Sequence, residues 1–260
     1  MPRFRLLLEY NGTRYSGWQV QRNARTVQGD LIEAVRKVTG RSDRVEVYGA
    51  GRTDAGVHAL GQVAHVDVAT TLPPATLLAR VNEALPADIN VLDVRTVGHR
   101  FHARHDAVAR RYVYQVSRRR SAFSKPFVWW VRERLDVQAM RRGAASFVGR
   151  LDFESFSDDE ADEKSTTVQV DAVDVTEEGA LVLIRVTGSH FLWRMVRRMV
   201  GVLVRVGTGE LRQNDVARLL SSDGEDVARL TAPASGLFLE QVIYPGESFS
   251  DGAVGPMRIG

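Results

Sequence analysis

The chain has 260 residues, of which 44% are hydrophobic and 26% charged, enough to bury a sizeable core without covalent staples. It contains no cysteine, which excludes disulfides, thiolate nucleophiles and Cys-ligated zinc and is compatible with a reducing, cytoplasmic setting. A net charge of +3 hides an uneven distribution: Gly98–Arg120 holds seven Arg and three His against one acid, Asp106, whereas Asp152–Glu163 holds seven acids and no base. The basic stretch is either a solvated face or the electrostatic footprint of a polyanion partner.

In chain order, Phe4–Tyr10 is a strand-like apolar run, and the start of the sequence reads as strand rather than as a secretory signal. Thr26 caps a helix in which Val27, Leu31, Val35 and Val38 recur every three to four residues and Gly40 follows the end. Val45–Ala50 and Gly61–Ala69 alternate as strands. Pro73–Pro86 is a second helix and Ile89–Val97 a further strand, which completes β-α-β-β-α-β. The pattern then repeats: strand Arg110–Ser117, helix Asp136–Gly149, a hairpin over Val170–Gly188 turning at Glu178-Gly179, helix Phe191–Gly207 and strand Gly236–Tyr244. Asn214–Leu220 is a helical insertion, and the acidic segment Asp158–Lys164 is expected as an exposed, mobile loop. No apolar run approaches the roughly 20 residues of a membrane-spanning helix. The fold expected is α+β. Two ferredoxin-like halves in pseudo-two-fold arrangement join an antiparallel sheet, with helices on one side and a ligand cleft between the halves. The first half is assigned to residues 1–105, the second to 106–247, and 248–260 to a tail.

The chemistry-bearing candidates lie in three places. The loop Gly51–Leu60, "GRTDAGVHAL", presents Asp54 beside Arg52, with Gly56 free to take an unusual backbone angle. Such a carboxylate serves either as nucleophile or general base, or as an Asx-turn residue bonding its own backbone. On a wheel from His190 to Val206, Phe191, Leu192, Met195, Val196, Met199, Val200, Val202, Leu203 and Val206 fill one side. Arg194, Arg197, Arg198 and Arg205 share the other side with Gly201, whose place in a helix interior points to close approach of another backbone, protein or nucleic acid. Arg197 falls at the edge of the apolar stripe, where it needs an anionic partner, and Asp54 is the candidate. Tyr112 and Tyr114 share one face of a strand directly after Arg110 and Arg111, an arrangement that suits stacking on unpaired bases or packing in a core. No phosphate loop, dinucleotide fingerprint, HExxH or GxSxG motif occurs. In "HRFHARH", Arg100 and Arg104 between His99, His102 and His105 would repel a dication, so polar contacts or loop filling are expected there rather than a metal.

These residues stand within a longer match. The chain resembles the tRNA pseudouridine synthases of the TruA type over nearly its whole length. The resemblance is carried by Tyr10–Leu31, Gly49–Asp67, Val81–Ile89, Phe101–Val116, Met195–Gly209 and Pro233–Pro245, in the family's order and spacing. Ser165–Val170 departs from the pattern by lacking a basic residue often present there. The resemblance implies a homodimer that isomerises uridine to pseudouridine at positions 38 to 40 of tRNA without cofactor or metal. It implies that Asp54 is the catalytic aspartate, that Arg197 is the arginine paired with it, and that Tyr112 stacks on the uracil and assists removal of the C5 proton. Leu237 matches an apolar residue that keeps water from the detached base, Arg52 helps to hold the flipped nucleotide, and His58 is positional. Arg14, Arg22, Arg25, Arg104, Arg110, Arg111, Arg194 and Arg198 are the candidate RNA contacts. The rival classes are a tRNA-binding protein without catalysis, which needs the basic surface but not Asp54 with Arg197, and a metal-dependent nuclease, for which no second acid stands at a sensible spacing from Asp54.

Overall fold

Strict alternation in "RFRLLLEY" buries Phe4, Leu6, Leu8 and Tyr10 on one face of the first strand, β1 (Arg3–Tyr10). The computed structural model describes residues 1–40, 45–158, 165–222 and 224–250. The expected acidic loop, beyond Asp158, and most of the expected tail lie outside these residues. After β1 come α1 (Val27–Thr39), β2 (Val45–Gly49), β3 (His58–Val68), α2 (Pro74–Ala84), β4 (Ile89–Val97), β5 (Ala109–Ser117), β6 (Trp129–Trp130), α3 (Val137–Ala144), β7 (Gly149–Asp152), β8 (Thr167–Glu178), β9 (Leu181–Gly188), α4 (Met195–Thr208), α5 (Gln213–Leu220), α6 (Glu225–Arg229) and β10 (Leu237–Ile243). The result is a mixed α/β protein with mostly antiparallel strand pairing.

The first compact unit comprises Met1–Val108 with Phe238–Phe249. Its elements run β1-α1-β2-β3-α2-β4, and β1 pairs antiparallel with both β3 and β4 while β2 pairs antiparallel with β3. Thr26 Oγ1 accepts the Gly29 N–H at the start of α1, and Gly40 closes the helix at φ 66°, a conformation that glycine adopts without strain. Asn82 of α2 clamps β4 through both its amide groups, donating to Val91 O and accepting from Val91 N at 2.8 Å each. Phe238 and Leu239 of β10 pair in parallel with His58 and Ala59 of β3.

The second unit comprises, among the described residues, Ala109–Leu237 and Ser250. Its strands lie in the order β5-β9-β8-β7, with the short β6 parallel to the end of β5. The helix expected over Asp136–Gly149 is shorter. Asp136 caps it, but the chain tightens into a 3-10 turn at Ala145–Phe147, and Gly149 at φ 121° starts β7 on the edge of β8. Helix α4 also starts later than expected. Arg194 is left-handed, at φ 63°, so Phe191 and Leu192 precede the helix rather than belong to its apolar stripe. Met195, Met199, Val200, Val202 and Leu203 then fill the core. Among the described residues no helix is long and apolar enough to cross a membrane.

Candidate active site

Asp54 sits on the connection between β2 and β3, and the segment Tyr10–Trp18 grips that connection from outside. Trp18 N–H donates to Thr53 O at 3.0 Å and Gly56 N–H to Tyr15 O at 3.3 Å. Two glycines make the grip possible. A Cβ at Gly12 would stand 1.9 Å from Val57 O, and one at Gly17, which has φ 98°, 2.6 Å from Thr53 O. Tyr10 Oη and Thr53 Oγ1 share a buried hydrogen bond of 2.8 Å, and Gln62 Nε2 donates to Gly51 O at 2.9 Å. The turn closes main chain to main chain, with Val57 N–H on Asp54 O at 3.1 Å, and Gly56 takes φ 78°. Thr53 and Val57 are therefore buried while Asp54 is half-buried and Arg52 exposed. His58 is buried, accepts the Gly12 N–H at Nδ1 (3.0 Å) and stacks on Phe238 at 4.6 Å. A loop held from so many directions presents its carboxylate in a fixed place, which is what general-base or nucleophilic chemistry requires.

Within the second unit, Tyr112 is 8% exposed and meets Phe191 edge-on at 5.3 Å. Tyr114, on the same face of β5, is wholly core: its Oη donates to Pro233 O at 2.8 Å, and burial raises its pKa against the opposing pull of the Arg197 charge. The sequence left open which of the two rings is core. Tyr114 also packs against Gly236, where a Cβ would stand 2.5 Å from the ring, just before the buried Leu237. Arg197 is half-buried, as the wheel implies, and is fixed to the same segment twice. Its Nε donates to Ala232 O at 2.8 Å, and Ala232 N–H donates to its carbonyl at 3.1 Å. Gly201 meets protein, not an open surface: a Cβ there would lie 1.6 Å from Leu230 O. Tyr114, Arg197, Ala232 and Gly236 thus form one assembly that leads into Leu237, in which Tyr114 is the member that period-two alternation alone does not single out.

The eight candidate RNA arginines divide by their surroundings. Arg14, Arg22 and Arg104 are exposed, Arg194 is exposed but ion-paired to Asp158 at 2.9 Å, and Arg111 is half-buried. Arg25 is held by Asp30 at 2.8 Å, by the Tyr15 hydroxyl at 3.0 Å and over the Tyr15 ring at 4.6 Å. Arg110 is buried and donates to Ser189 O at 2.7 Å. Arg198 is buried as well, with its guanidinium on Ser157 O and the Asp158 carboxylate. Arg25, Arg110 and Arg198 therefore brace the chain itself. The "HRFHARH" motif forms a turn in which His102 Nδ1 accepts the N–H groups of Arg104 and His105, at 3.2 and 3.3 Å.

The chain compares with known proteins along almost its full length. A protein-family model described as tRNA pseudouridine synthase matches residues 7–106 and 144–245. A protein named tRNA pseudouridine synthase A from Rhodopseudomonas palustris (strain BisA53) is 42% identical over 247 residues, which is 94% of this chain and 100% of the relative. Proteins of the same name from Paramagnetospirillum magneticum and Geobacter sp. (strain M21) are 41% and 42% identical, covering 98% and 94% of this chain and 99% and 100% of theirs. The first of these matched segments contains the pinned Asp54 loop, and the second contains the Arg197 helix and Leu237; on these matches the chain belongs to the tRNA pseudouridine synthase family.

Proposed function

We propose that this chain isomerises uridine to pseudouridine at positions 38 to 40 in the anticodon arm of tRNA, with Asp54 as its catalytic carboxylate. The observation that carries the reading is the Asp54 loop, rigidly pinned by Tyr10, Trp18 and Gln62, in a chain that belongs to this family. In the reaction the N1–C1′ bond breaks, the uracil turns, a C5–C1′ bond forms, the proton on C5 leaves and the freed N1 takes up a proton. Asp54 starts it either by adding to the ribose or by taking a ribose proton to give a glycal. Arg197, anchored on Ala232, supplies the positive charge opposite this carboxylate. Tyr112 stacks on the uracil and assists removal of the C5 proton, Leu237 excludes water from the detached base, and Arg52 holds the flipped nucleotide out of its stack.

The larger arrangement is part of the same reading. Two ferredoxin-like halves, residues 1–105 with the Asp54 loop and 106–247 with Tyr112 and Arg197, join their sheets and leave the cleft that takes the uridine. The protein works as a cytoplasmic homodimer, without metal or cofactor, and the exposed Arg14, Arg22, Arg104 and Arg194 with the half-buried Arg111 take the phosphates. The test is release of tritium from C5-labelled uridine in tRNA by the parent and by Asp54→Asn. The amide keeps the turn but is neither nucleophile nor base, so turnover falls by several orders of magnitude while filter binding of tRNA persists. Turnover above a few per cent of the parent rate would remove Asp54 from its role.

A further inference from the structure

Phe123 is 91% exposed, on the loop that joins β5 to β6. It is not a loose end. Ser124, next to it, is buried, and Phe127 N–H donates to Ser124 O at 2.8 Å. Gln115 Nε2 donates to Phe127 O at 2.9 Å, and at the entry Ser117 Oγ donates to Arg119 O at 2.6 Å. At the exit Val131 N–H donates to Ser117 O at 3.0 Å. The loop is thus tied at both ends and in the middle, and it holds an apolar ring out in water. The loop that carries the ring is rich in cations. Arg118, Arg119, Arg120, Lys125, Arg132 and Arg134 face a single acid, Glu133, between residues 118 and 134. Arg118 is engaged with Glu177 at 2.6 Å, and Arg120 lies 5.7 Å from the ring centre of Trp130, itself 42% exposed.

We propose that this loop is a second RNA contact, in which the Phe123 ring stacks on an unpaired base while Arg119, Arg120 and Lys125 take the flanking phosphates. Cations alone would suit any polyanion, and an exposed ring alone would suit a protein partner. The two together on a preformed loop suit single-stranded RNA, where every base offers a flat face. The loop is also distant from the chemistry. Tyr112 and Ser117 are five residues apart on β5, about 17 Å at the rise of a strand, so the base on Phe123 belongs to a part of the RNA other than the reacting uridine. The proposal rests on the reading of tRNA as substrate and adds to it a contact that measures position along the molecule.

The experiment compares the parent, Phe123→Ala, Phe123→Trp and the double variant R119Q/R120Q of the full chain. Each is assayed for tritium release and for filter binding, on intact tRNA and on an isolated anticodon stem-loop. Phe123→Ala should raise KM and Kd for intact tRNA about tenfold, leave kcat and the stem-loop values unchanged, and be restored by Phe123→Trp. R119Q/R120Q should flatten the log–log salt dependence of tRNA binding by about 1.4 to 1.8. Because Phe123 is exposed, these variants keep the parent's melting temperature. Unchanged Kd for intact tRNA overturns the contact, and so does a rise that is equal on the stem-loop. A change in oligomeric state without a change in Kd overturns it in favour of a protein interface. If the parent binds tRNA but releases no tritium, the functional reading fails, while the Kd comparison still decides whether the loop touches RNA.

Discussion

At the scale of single residues, the candidate carboxylate is placed by groups elsewhere in the chain. The Tyr10 hydroxyl holds Thr53 Oγ1 from below, one residue before Asp54. Removing it in Tyr10→Phe leaves a buried hydroxyl without its partner, a cost of about 1–3 kcal/mol, and loosens the placement of the carboxylate. The expected result is a fall in kcat of about tenfold or more with KM for tRNA nearly unchanged; stopped turnover assays separate the two. A purely structural role would lower the melting temperature and leave kcat per folded molecule alone. The candidate Asp54 was legible in the sequence because Gly51 and Gly56 bracket it. The gripping partners were not, because Tyr10, Gly12 and Gly17 lie some forty residues away and only the folded chain brings them to the loop. Period two places Tyr112 and Tyr114 on one face but does not tell which is core, and that depended on Pro233 and Gly236, far along the chain.

At the scale of elements, α4 carries the clearest test. Replacing a helical glycine by alanine ordinarily stabilises by up to about 1 kcal/mol. At Gly201 the sign reverses, because the new methyl would overlap the Leu230 carbonyl, 1.6 Å away. Gly201→Ala should destabilise the protein by about 3 kcal/mol, read as a lower midpoint in urea with an unchanged slope. Long amphipathic elements such as α1 and α4, and alternating strands such as β1, were legible because a single side buries and the period shows it. The short β6 and β7 were not, since two to four residues carry no measurable period and their pairing comes from neighbours. The late start of α4 escaped for a different reason. Arg194 takes a left-handed conformation that nothing local favours, held by ion pairing to Asp158 at 2.9 Å and by packing over Trp193 at 5.1 Å.

At the scale of the whole molecule, the response to acid follows from a buried imidazole. His65 of β3 is held to a pKa of about 4, first by burial and then by the charges of Arg3 and His102, against an ordinary value of 6.5. Its Nδ1 accepts the Ala103 N–H at 3.1 Å, and its ring stacks on Tyr48 at 5.1 Å. The unfolded chain therefore takes up a proton near pH 6.5 that the folded chain refuses until about pH 4. The stabilisation is complete above pH 6.5 and is lost as pH falls between these values, at a slope approaching about 1.36 kcal/mol per pH unit. Urea midpoints measured across this window should fall for the parent and fall less for His65→Gln. Family membership was legible because six motifs keep their order over the full length. The parallel pairing of β10 with β3 was not, since a repeat read in chain order carries no sign of it.

That last strand has a consequence for the time course of synthesis. Its Phe238 stacks on His58 and pairs beside it, at the root of the Asp54 loop, although the two are separated by about 180 residues of chain. A ribosome adding 5–20 residues per second delivers Phe238 roughly 10–40 s after His58. During that interval the first residues of β3, His58 and Ala59, wait for a partner strand not yet made, while β2 already pairs with its other end. The carboxylate loop receives its final support only when the chain is nearly finished, so a prematurely terminated product holds every motif of the first half and still lacks the partner that seats the loop. Completion of the polypeptide is thereby built into completion of the site.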